Sequence, residues 1–104
     1  MSSMYIRPFM VKSNTTNIAV TGTTASTAIL RPTVGIQSVR LLNNGSQTVF
    51  VEFGTSGVTA ALATSMPLLP YTVETFALDN STTHIAAIAA LSGSTLYITT
   101  GESA

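Results

Sequence analysis

One imidazole and four carboxylates are the groups this 104-residue chain could use for proton transfer or metal binding: His84, Glu52, Glu74, Asp79 and Glu102. A general base works beside an orienting carboxylate or a nucleophile. The acid nearest to His84 in sequence is Asp79, and no motif joins them. Zinc sites usually draw several N or S ligands, whereas this sequence holds one His and no Cys. Ser is abundant, yet no Gly-x-Ser-x-Gly elbow occurs. The glycines stand singly at turns and match neither the dinucleotide fingerprint nor the phosphate loop. His84 therefore reads as a structural hydrogen-bonding residue at the start of a strand. The expectation is a non-enzymatic protein with no metal and no cofactor.

The composition supports the same view. Only 8% of residues are charged, four basic and four acidic, with a formal sum of zero. Average domains carry about 25%. In place of charge stand 18 Thr and 12 Ser, woven through short runs of Val, Ile and Leu. At 45% hydrophobic, the chain is too apolar for disorder. Its length suits one domain, which buries roughly 65% of its unfolded surface. So little charge gives weak colloidal protection. Part of the surface is therefore expected to be covered by other copies, as a dimer or trimer, or by another protein.

Balanced charge leaves no basic stripe for nucleic acid. No apolar run approaches the ~18 residues of a membrane helix. The start, MSSMYIRPFMVKS, lacks the long apolar core of a signal peptide. Zero cysteine excludes disulfides and thiolate sites. Assembly in the cytosol is the expected setting.

Residues 1–16 form an N-terminal arm. Tyr5, Ile6, Phe9, Met10 and Val11 are apolar, Pro8 interrupts them, and Ser13–Thr16 is a polar break. Such an arm either lies along its own domain as an edge strand or reaches a neighbour. Residues 17–104 read as a succession of short strands and turns. Strands are predicted at Asn17–Thr21, Ser26–Leu30, Ile36–Leu42, Gln47–Phe53, Val58–Leu62, Val73–Leu78, His84–Ala90 and Thr95–Thr99. Asn44-Gly45 suggests a tight turn with positive φ, making Ile36–Phe53 a hairpin. Arg40 and Glu52 would then pair across it. About eight short strands at roughly 8–12-residue spacing indicate an all-β, antiparallel sandwich or jelly-roll-like domain.

Contact residues are the functional candidates that remain. In the arm they are Tyr5, Ile6, Phe9 and Met10. Phe50 shares a face with Glu52, and is either a contact residue or buried in a central strand. Met66, Leu68 and Leu69 stand in a proline-bounded apolar loop, which either caps its own core or docks.

Two stretches carry a resemblance. Ser38–Gly54, SVRLLNNGSQTVFVEFG, and Met66–Gly101, through MPLLPYTVETFAL, THIAAIAA and STLYITTG, together make about half the chain. They resemble small accessory virion proteins of tailed bacteriophages. The shared motifs are structural. The resemblance implies a β-sandwich unit on an assembled particle, as a capsid decoration or cement protein contacting the major capsid protein. Related units also occur in necks, tails and fibres. A small carbohydrate- or ligand-binding β module is the remaining alternative. No active-site residue carries over.

Overall fold

The structure, a computed structural model, describes residues 9–12, 14–30 and 37–102. Alternating apolar and polar residues give a strand one face to bury, and nine strands form among the described residues: β1 (Met10–Val11), β2 (Thr16–Val20), β3 (Ala25–Ala28), β4 (Gln37–Gly45), β5 (Val49–Gly54), β6 (Met66–Leu68), β7 (Val73–Leu78), β8 (His84–Ile88) and β9 (Ser94–Glu102). No helix occurs among the described residues. In one sheet β1 and β2 both pair with β9, and β4 and β7 follow; the other runs β3-β8-β5-β6. Every pairing is antiparallel. With β1 set aside, 2-9-4-7 faces 3-8-5-6, the double Greek key of a jelly roll. The chain is the antiparallel β-sandwich that its alternation predicts.

The inward faces meet in one core. Val39 and Leu41 of β4, Leu96 and Ile98 of β9, and Ile18 and Val20 of β2 come from the five-stranded sheet. Val49 and Val51 of β5, Ile85 and Ala87 of β8, and Leu68 of β6 oppose them. Phe53 and Phe76 close one side as an edge-to-face pair, with centroids 5.8 Å apart. Each fully buried Leu or Ile contributes roughly 1.5–3 kcal/mol.

The predicted hairpin does not form. β4 pairs with β7 and β9, whereas β5 pairs with β6 and β8. The chain passes from one sheet to the other through residues 46–48, so the apolar faces of β4 and β5 meet across the core instead of lying side by side. Arg40 and Glu52 are therefore in different sheets, and the carboxylate accepts the Ser65 hydroxyl at 2.8 Å instead. Asn44-Gly45 is the end of β4, not a turn, and Gly45 is not among the positive-φ residues. Its lack of a side chain serves close approach: a Cβ there would collide with the Gly93 carbonyl and the Ser94 backbone.

Two element assignments also differ. The 58–62 run is a loop, because its N–H groups go elsewhere: Ala60 donates to Thr24 Oγ1 (2.9 Å) and Ala61 to Ser65 Oγ (2.9 Å). The Ser65–Glu52 bond ties this loop to the outer face of the four-stranded sheet, where Ala86, paired with Glu52, is fully buried. Conversely, the proline-bounded loop contains β6, short because Pro67 can donate no ladder bond. At the N-terminus, Met10 and Val11 pair with Glu102 and Gly101, and Lys12 N donates to Thr100 O (3.0 Å). This part of the arm lies along its own domain. Tyr5, Ile6 and Ile36 lie outside the described residues.

Candidate docking surface

Asn43 follows Val39 and Leu41 on the inward face of β4 and is fully buried. Burying an amide costs free energy unless it is hydrogen-bonded. Its Nδ2 lies 2.8 Å from Gln47 O, 3.0 Å from Leu68 O and 3.1 Å from Leu69 O. Two N–H protons serve three carbonyls, so one is shared. Asn43 N also donates to Thr72 O at 2.9 Å, and Thr72 Oγ1 donates to Leu69 O at 2.6 Å. The connection from β6 to β7 is thereby clamped to β4 at both ends.

The clamp holds an unfavourable backbone. Tyr71 has φ 55°, the left-handed region, and is the described non-glycine residue with positive φ. That conformation costs roughly 1–2 kcal/mol, and it persists where surrounding contacts over-determine it. The outcome is a hydrogen-bonded loop offering Leu69 at 59% and Tyr71 at 69% exposure. Beside it, Val73 pairs with Leu42, and both face solvent.

Other candidates from the sequence scatter over the fold. Met66 is exposed at the β6 edge, opposite Val51. Phe50 is half-buried on the outer side of the same sheet, between Pro67 and Ile88. Leu68 is fully enclosed in the core and has no surface to offer. Phe9 is half-buried close to Gly101, and Met10 is exposed. The structure thus puts Phe50 and Met66 on opposite faces of the four-stranded sheet, leaves Leu69 in the loop after β6, and leaves Phe9 and Met10 at the β1 edge of the other sheet.

Tyr71, Leu42, Val73 and Tyr97 escaped the sequence reading. Alternation does put Arg40 and Leu42 on one face of β4, opposite Val39 and Leu41; the exposure of that face was the missing step. Leu42, Val73, Arg40, Tyr97, Thr15 and Thr99 line a groove of about 400 Å³.

The titratable groups do not converge. His84 Nδ1 lies 2.8 Å from its neighbour Thr83 Oγ1. Asp79 Oδ1 accepts Ser81 Oγ (2.8 Å) and Thr82 Oγ1 (3.0 Å), and the N–H groups of both residues (2.9 and 3.0 Å). The Ser81 hydroxyl first, then the Thr82 hydroxyl and the backbone N–H groups, hold the Asp79 carboxyl below its ordinary value. Among the described residues no group of three or more His, Asp or Glu could hold a metal ion.

No family model matches the sequence, and no curated protein matches it. One solved structure is similar across nearly the whole chain: a protein described under "Bacillus endospore appendages form a novel family of disulfide-linked pili". The likeness covers 96% of this chain and 91% of that one, with a TM-score of 0.57 and 14% sequence identity. At that identity it shows a shared fold.

Proposed function

We propose that this chain is a non-enzymatic structural subunit of a virion, one that decorates or cements an assembled capsid. The observation that carries this is the clamped loop. A buried amide and a strained backbone hold Leu69 and Tyr71 out in water, an arrangement that costs stability and prepares an interface. The low charge and the motif resemblance to phage accessory proteins support it. The contacts are with the major capsid protein or another virion protein, and neutral charge leaves apolar burial to supply the affinity.

A second reading is favoured by the fold likeness, which runs over the whole chain to a pilus-forming protein. On that reading the chain is a repeating subunit of a neck, tail, fibre or other appendage. Disulfide linkage is closed to it, because this sequence has no cysteine.

Sedimentation separates the two. Purified protein is mixed with empty phage heads and spun at low salt and at about 1 M salt. Capsid decoration by apolar contact gives co-sedimentation at both, since salt screens exposed charges and barely affects buried contacts. Release at high salt contradicts the apolar account. Ordered filaments from the protein alone, with no head binding, establish the second reading.

A further inference from the structure

The two outer faces of the sandwich differ. The loop at 55–65 lies against the four-stranded sheet, whereas the groove on the five-stranded sheet is open. Strand register orders the side chains of that open face into two rows. One row runs Val73, Leu42, Tyr97 and Asn17 across β7, β4, β9 and β2. The next runs Thr75, Arg40 and Thr99 across β7, β4 and β9, and is extended by Thr15, whose hydroxyl lies 2.7 Å from that of Thr99. An apolar strip therefore lies directly beside a hydroxyl-rich strip with one guanidinium at its centre. Among the described residues Arg40 has neither an ion-pair nor a hydrogen-bond partner.

That pattern selects its ligand. A guanidinium takes a carboxylate through two parallel hydrogen bonds. The Thr15–Thr99 pair keeps one hydroxyl proton and several lone pairs free for a ligand's hydroxyls. Leu42, Val73 and the Tyr97 ring accept an apolar face. A simple phosphate would leave the apolar row unused, and a neutral sugar would leave Arg40 unpaired. A pyranose carrying a carboxylate satisfies both rows at once. We infer that this groove binds an acidic saccharide of the uronic-acid class. The carboxylate lies on Arg40, the C–H face of the ring on Leu42, Val73 and Tyr97, and the hydroxyls on Thr15 and Thr99. The groove volume falls within the range of small-ligand sites, roughly 300–1,000 Å³. This inference stands apart from the assembly reading: it concerns the groove around Arg40, which neither Leu69 nor Tyr71 lines, and a salt-sensitive contact.

The test is a titration of ¹⁵N-labelled full chain, followed by amide chemical shifts, with four probes: trigalacturonate, its methyl ester, a neutral galactose trimer and an acetylated Gly-Glu-Gly peptide. Trigalacturonate should shift the amides of Arg40, Leu42, Val73, Tyr97 and Thr99 and weaken with added salt. The ester, the neutral trimer and the Arg40→Gln variant should each bind at least about tenfold more weakly, the effect of losing a charged hydrogen bond. Arg40→Lys keeps the charge without the fork and should fall between. The variants' own spectra report whether the fold is intact. Absence of shifts at millimolar trigalacturonate overturns the inference, as do shifts centred elsewhere or equal binding of the ester. Equal or stronger shifts with the peptide overturn it too, and make the groove a protein-docking surface.

Discussion

The buried amide of Asn43 reaches the carbonyl of Leu69 at 3.1 Å, tying an inward position of β4 to the loop that exposes Leu69 and Tyr71. Packing and presentation are thus one arrangement: the group that completes the core at this end also aims the candidate contact residues outward.

Replacing Asn43 with Leu should destabilise the fold by about 1–3 kcal/mol, the cost of removing the amide donor from the buried Leu68 carbonyl. Urea unfolding measures it. Asn43→Asp should be worse, because a carboxylate would face the three carbonyls that the amide now serves. A midpoint unchanged in both variants would show that the clamp carries no stability.

Tyr71→Gly separates fold from function. Glycine relieves a left-handed strain of about 1 kcal/mol, and a similar amount is lost to the greater freedom of the unfolded chain. Thermal stability should therefore change little, while binding to heads falls sharply. Loss of stability with binding intact would make Tyr71 a structural residue.

Gly45→Asn tests the corrected topology. A tight turn with positive φ would accept Asn. Here any Cβ meets the backbone of Gly93 and Ser94, so Gly45→Asn and Gly45→Ala should both lower the melting temperature, consistent with roughly 1–3 kcal/mol of overpacking. Gly57→Asn, at φ 92° with open space around it, is the contrasting case: it meets no clash and should cost only the backbone strain of a positive φ, about 1 kcal/mol.

These positions show what could be read from the sequence. Alternation from Val73 to Leu78 located β7 to the residue, and turn spacing indicated a sandwich, because both are local properties of the chain. The pairing of β4 with β9 and of β5 with β8 is set by distant partners, so the Asn44-Gly45 signal pointed to a hairpin that the two-sheet core overrides. In the candidate surface, Leu69 and Met66 stood out by composition. Leu68, between them, is core because Val49 lies opposite it in the four-stranded sheet. Tyr71 gave no signal at all: its left-handed backbone follows from the clamp by Asn43, 28 positions earlier in the numbering.

Asp79 gives the fold a small pH dependence. Its carboxyl is held below the ordinary value by the hydroxyls and N–H groups of Ser81 and Thr82. A depressed folded pKa means the contribution is fully present above the unfolded value, about 3.9, and disappears as pH falls through the lower folded one. Asp79→Ala should therefore melt below the parent at neutral pH, and the gap between the two melting temperatures should narrow as pH falls through the lowered folded value. A gap that widens on acidification would contradict the assignment. The group is solvent-exposed, so the effect is small.

Imaging the purified particle by electron cryomicroscopy, with this protein bound, tests the central claim most directly. The account expects ordered density for the jelly roll on the capsid shell at symmetry-related sites, with the Leu69–Tyr71 loop turned toward the shell. Density confined to tails or fibres, density on the shell with that loop facing solvent, or filaments of the protein with bare heads would contradict it.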